Sequence, residues 1–125
     1  MTNRTFLTGH GIIYAFFAIA LFFLPGTLWP NYGLQINDEY ARFLSQHNSI
    51  FLGGIAILSF LFRDAASNSD TAMKILTGLM WTNVLGAAIT LYACLTGAFS
   101  GFGWSDPFFF ALLAVVSYAQ IKKNR

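Results

Sequence analysis

Four apolar stretches, each about the length of a bilayer-crossing helix, leave this chain little choice of fold. Lipid offers the backbone no hydrogen-bond partner, so a spanning segment must satisfy itself as a helix of about 20 mostly apolar residues. The stretches cover about residues 6–28, 44–62, 72–95 and 106–121. The first carries His10 as its only ionisable side chain, is loosened by Pro25 and Gly26, and ends at Trp29 and Pro30. The second has a polar first turn and closes at Arg63 and Asp64. The third follows Asp70 and Thr71, residue types that cap free helix amides, and ends at Thr96 and Gly97. The fourth opens with Asp106 as cap and Pro107 in the first turn, where a missing N–H costs nothing. Its shortness implies a nearly upright helix or one that starts slightly inside the interface. The expected fold is an all-α, integral membrane four-helix bundle, one domain over residues 1–125.

Composition excludes the soluble alternative. The 125 residues are 56% hydrophobic and 10% charged, against about 25% charged in soluble domains. So few charges cannot cover a globule of this size with a water-facing surface. The net charge of +2 contains no basic run able to neutralise phosphates, so nucleic acid is not an expected partner. The single Cys94 has no intramolecular disulfide partner and belongs to no Cys-x-x-Cys or Cys/His cluster; it reads as a small packing residue. The apolar run after Arg4 is too long for a signal peptide core of about 7–15 residues and lacks a small-x-small cleavage site, so it reads as a retained helix.

Basic residues set the expected orientation. With four spans, both termini and the connection between the second and third helices share one side. That side holds Arg4, Arg63, Lys74, Lys122, Lys123 and Arg125; the other holds only Arg42. The termini are therefore expected in the cytoplasm, with 37–49 and the glycine-rich 97–104 segment outside. Trp29, Tyr32 and Trp104 fall at the outer boundary and Tyr118 at the inner one, the usual interfacial placement. Small residues mark possible close approaches: Gly53, Gly54 and Ala56 on the second helix, and Gly78, Gly86, Ala87 and Ala88 on the third. They suggest that these two helices form the centre. The chain also divides into two hairpins with loosely similar outer connections, and any such repeat would be parallel. Residues 65–70 read as an ordinary polar linker.

The longest polar interruption, 37–54, is the expected site. It contains Asp38, Glu39, Arg42, Ser45, Gln46, His47, Asn48 and Ser49, then runs into an apolar helix. Helical spacing puts Arg42, Gln46 and Ser49 on one stripe and His47 on an overlapping one. The structural reading is a capped interfacial helix start, with Arg42 paired to Asp38 or Glu39. The functional reading is a polar cup at the outer leaflet, holding a headgroup, a quinone ring or a partner loop. Asn83, beside Trp81 and Thr82, lies near mid-membrane, where its amide needs partners; interhelical bonding is the first expectation and a deep ligand contact the second. His10, between Gly9 and Gly11, is expected to bond a neighbouring helix or sit at the inner interface. His10 and His47 lie on the order of 20 Å apart along the membrane normal, too far to share an ion or a haem. No metal and no cofactor is therefore implied. No carboxylate or basic residue occupies the middle of a span, which argues against an autonomous ion-coupled transporter.

The plan resembles the small DoxX-like four-helix membrane proteins and related uncharacterised bacterial families. The resemblance is carried by Leu-Phe-Phe-Leu-Pro-Gly-Thr-Leu-Trp at the end of the first helix, by Arg42 leading into Phe-Leu-Gly-Gly-Ile-Ala-Ile-Leu, and by the return to Arg63 and Asp64. Gln46, His47 and Asn48 stand outside that pattern. The resemblance implies the fold and a bacterial inner-membrane location, and no activity.

Three functional expectations follow. The first is a non-enzymatic accessory subunit or interaction protein, packed against lipid, a larger membrane complex or further copies of itself. The second is a binder of a quinone or lipid, with Arg42, Gln46, His47 and Asn48 around the polar end and Trp81 and Asn83 deeper. The third is a small membrane enzyme using His47 beside Asp38 or Glu39.

Overall fold

The computed structural model describes residues 1–64 and 69–124. Among these residues the chain forms five α-helices and no strand: α1 (Asn3–Phe23), α2 (Pro25–Leu28), α3 (Glu39–Phe62), α4 (Ser69–Leu95) and α5 (Ser105–Lys123). All but the one-turn α2 are long and apolar enough to cross a membrane. Most of the linker expected at 65–70 lies outside the described residues.

The first apolar stretch is not one helix. Thr2 caps α1 by accepting from the Thr5 amide at 3.1 Å. Pro25 has no N–H and its ring obstructs the preceding turn, so α1 stops at Phe23. The chain restarts as α2, tightens into a 3-10 turn over Trp29–Tyr32, and is turned away at Gly33, whose φ of 84° suits glycine. The second span starts earlier than its apolar run. Asp38 accepts from the Ala41 amide at 2.8 Å and opens α3 at Glu39, so the polar stretch is itself helical. Arg42 pairs with neither Asp38 nor Glu39 among the described residues. Its exposed guanidinium instead lies over the turn at Gly26. Asp106 is not the cap of α5 but sits within its first turn, which begins at Ser105.

The helices pack as two pairs, α1 with α3 and α4 with α5. Each pair closes on a glycine that receives an aromatic ring. A Cβ on Gly11 would lie 2.9 Å from the Phe60 ring, and one on Gly86 only 2.7 Å from the Phe110 ring. Toward the end that bears the termini, Phe6 and Leu7 of α1 join Ala72, Leu76 and Leu79 of α4 and Ile121 of α5 in a buried cluster. Below it, Asn3 and Asn124 exchange amide hydrogen bonds of 2.7 and 2.9 Å, and Gln120 donates to Asn3 at 2.8 Å. Arg4 and Asp64 form an ion pair at the surface.

The centre differs from the expectation. In α1, 39% of the most apolar 18 residues are buried, against 22% in α3 and in α4, so α1 is the most enclosed element. Gly54 and Gly78 face open space, and among the expected glycines only Gly86 makes a tight contact, while Ala56 is buried against Tyr14 and Leu113. At the opposite end, the connection from α2 to α3 and the connection from α4 to α5 fold onto each other. The Ser100 amide donates to the Tyr32 carbonyl at 2.9 Å, and the Ser100 side chain fills the space beside Gly33. The rings of Trp29, Tyr32, Phe99 and Phe102 meet above this contact, with centroids 5.5 to 6.2 Å apart.

Candidate functional site

Between the filled layer near the termini and the aromatic roof lies a cavity of about 490 Å³. Its existence follows from residue size. Gly86, Thr90 and Ala93 line it from α4 at spacings of four and three, one face of a helix presenting almost no side-chain volume. Opposite them stand Tyr14, Phe17 and Leu21 of α1, also on one face. Phe109 and Phe110 of α5 and Leu52 of α3 complete the walls, and Trp29, Tyr32 and Phe99 form the roof.

The floor is polar and fully buried. The Tyr14 hydroxyl donates to Asn83 Oδ1 at 2.5 Å. Asn83 Nδ2 donates to the Leu79 carbonyl at 2.9 Å and faces His10 Nε2 at 3.0 Å. The reversed amide would set Oδ1 against the Leu79 carbonyl oxygen, so Nδ2 is the donor and His10 Nε2 the acceptor. The imidazole proton then belongs on Nδ1, a buried atom with no hydrogen-bond partner among the described residues. The His10 and Tyr14 rings stack at 4.5 Å, as their spacing of four along α1 allows.

The upper end carries the ionisable group. Asp106 lines the cavity, half-buried, on the same face of α5 as Phe109 and Phe110. Tyr32 stands beside it. Burial first, and then the neighbouring Asp106 carboxylate, push the Tyr32 hydroxyl up to about 12 from 10.0. Ser45, nearly two turns into α3, donates to the Leu21 carbonyl at 2.9 Å and accepts from the Trp29 indole N–H at 2.8 Å. That bridge fixes the roof to the α1–α3 pair.

The cavity has a side opening. Only three of its lining residues are exposed, Asn48 and Phe51 of α3 and Ile89 of α4. They place the mouth between α3 and α4, at the level of the apolar helix surface.

The six residues expected to surround a ligand are not gathered here. Asn48 lines the mouth, and Asn83 belongs to the bonded floor, where Tyr14 covers it from the cavity and His10 faces it. Gln46 is half-buried and donates to the Phe22 carbonyl at 3.2 Å. His47 is exposed between the Phe43 and Phe51 rings of its own helix. Arg42 is exposed over Gly26, and Trp81 faces outward at 57% exposure. The reason is helical rotation. Consecutive residues point about 100° apart, so with Ser45 and Ser49 facing inward His47 is turned away, whereas Arg42 shares their side of the helix but lies in its exposed first turn over Gly26. The residues missed by the sequence reading are Tyr14, Tyr32 and Asp106. The spacing of His10 and Tyr14 is the signal that could have found the first. Among the described residues, no three His, Cys, Asp or Glu side chains come together as a metal site.

Compared with protein-family models, with curated proteins and with solved structures, the chain matches none.

Proposed function

We propose that this chain is a multi-pass membrane protein that binds a lipophilic small molecule inside a single four-helix bundle. The termini and the connection between α3 and α4 lie on the cytoplasmic side, and the cavity lies in the outer half of the membrane. The observation that carries this reading is the cavity itself. Its volume of about 490 Å³ falls within the range of about 300–1,000 Å³ typical of small-molecule sites. Its walls are apolar and aromatic, its two ends are polar, and its mouth faces the side, so a membrane-dissolved molecule reaches it without crossing water. Packing in helical membrane proteins is normally tight, so an open cavity of this size is the natural place for a ligand.

The expected role as an accessory subunit has no surface of its own to carry it. Exposed large apolar side chains are spread over all four long helices, from Phe16 and Phe23 to Leu58, Leu85 and Val115, as a lipid environment alone requires. The enzymatic alternative built on His47 lacks a partner, because among the described residues no carboxylate is paired with that ring.

The test is recovery of the bound molecule. The protein is purified in mild detergent, and extracted lipophilic compounds are measured by mass spectrometry. The half-buried Ala93 lines the cavity, so Ala93→Trp fills it from within. The expected result is a stoichiometric molecule in the unaltered protein that is lost in Ala93→Trp. Equal recovery from both, or nothing from either, overturns the reading.

A further inference from the structure

The cavity is chemically one-sided. Among the described residues Asp106 is its only charged lining side chain, and no Lys, Arg or His joins it. Among the described residues the one ion pair joins Arg4 and Asp64, so Asp106 has no counter-cation there. Its place in the first turn of α5 favours negative charge there, but supplies no cation to match it. An ionised carboxylate in apolar surroundings is costly unless paired. Around it stand aromatic rings, with Tyr32 beside it, Trp29 and Phe99 in the roof, and Phe109 and Phe110 on its own helix face. Aromatic faces carry partial negative charge and attract cations. The carboxylate and the rings therefore ask for the same thing.

We infer that the cavity selects a lipophilic monocation, an ammonium or phosphonium centre on an apolar body, with Asp106 as its counter-ion and the surrounding rings as its cage. This rests on the ligand-binding reading above. A phosphate-bearing amine headgroup is a poor occupant, since it would set a second anion near Asp106 with no basic side chain in the cavity to hold it. A neutral quinone would leave the carboxylate with the Tyr32 hydroxyl as its partner and no counter-cation.

Two ions of matched size and opposite charge test this. Tetraphenylphosphonium and tetraphenylborate are titrated calorimetrically into the purified protein in maltoside micelles, with Ala93→Trp as the blank for partitioning into detergent. The cation is expected to bind about tenfold or more tighter than the anion in the unaltered protein, a comparison that needs no variant at the carboxylate. Asp106→Asn is expected to weaken cation binding about tenfold, Asp106→Glu to restore most of it, and phosphatidylethanolamine not to compete. Equal cavity-dependent affinity for both ions, unchanged cation binding in folded Asp106→Asn, or displacement by phosphatidylethanolamine overturns the inference. If neither ion binds but a neutral molecule is recovered and lost in Ala93→Trp, this inference fails and the pocket stands. If nothing binds at all, both fail.

Discussion

At the scale of single residues, Asn83 is the side chain on which the interior turns. It satisfies Tyr14 and the Leu79 carbonyl and faces His10, three groups that have no water to fall back on. Asn83→Leu leaves the Tyr14 hydroxyl and His10 Nε2 without their partner, and is expected to lower stability by about 1–2 kcal/mol in detergent. Tyr14→Phe removes one bond and is expected to cost about 0.6 kcal/mol. The double variant removes both ends of the Tyr14–Asn83 bond, so its loss falls short of the sum. Unfolding in graded sodium dodecyl sulfate, run as a double-mutant cycle, measures all three. Tyr32 gives a prediction in pH. Its hydroxyl is held protonated in the fold to about 12, whereas an unfolded tyrosine loses its proton near 10. Between those values the unfolded chain binds fewer protons, so stability falls as pH rises. That contribution is intact below pH 10 and lost through about 12. The alkaline loss is expected to shrink in Tyr32→Phe, read from unfolding midpoints against pH. The interhelical bonds of Asn83 and His10 were legible in the sequence, because a lone amide or imidazole within an apolar run has few other fates. Tyr14 was not, since a tyrosine in such a run resembles any packing aromatic until its partner is known.

At the scale of elements, the glycines separate two roles that look alike in sequence. Gly78 and Gly86 lie on the same helix, yet a Cβ on Gly78 meets nothing within 4 Å while one on Gly86 strikes the Phe110 ring at 2.7 Å. Gly78→Ala is therefore expected to stabilise α4 by about 0.5–1 kcal/mol through the lower backbone entropy of alanine. Gly86→Ala is expected to cost about 1–3 kcal/mol by prising Phe110 from α4. Opposite shifts in thermal unfolding of the two variants would bear this out, and shifts of the same sign would contradict it. The reason the sequence could not rank them is physical. In lipid, inward and outward helix faces are both apolar, so periodicity carries no inward direction. The same blindness made α3 and α4 look central, when α1 is the most buried. Helix ends were misplaced for a related reason, because they depend on local chemistry and not on hydropathy. Pro25 and Gly33 stop the chain where their backbone limits require. Asp38 starts α3 before the apolar run because capping, and not hydropathy, decides where a helix begins.

At the scale of the molecule, the number of spans and the lone excess of basic residues were readable, and the cavity was not. Its small-residue wall is visible in the chain as Gly86, Thr90 and Ala93, but which helix faces that wall is a long-range fact. The orientation proposed from charge can be tested on this fold with little background, because Cys94 is only 5% exposed. Gln35 and Ala98 are exposed in the two outer connections, and Ser69 is exposed at the start of α4, on the opposite side. Single cysteines at these positions are treated with a membrane-impermeant maleimide in spheroplasts. Six basic residues against one predict a cytoplasmic location for the side bearing Ser69. Gln35→Cys and Ala98→Cys are expected to label at once, and Ser69→Cys only after permeabilisation. The reverse pattern would invert the protein and put the cavity in the inner leaflet, where its ligand would have to come from the cytoplasmic side. Labelling of Gln35→Cys and Ala98→Cys from opposite sides would be more damaging. The Ser100–Tyr32 hydrogen bond joins the two outer connections, and the cavity roof cannot exist with a membrane between them.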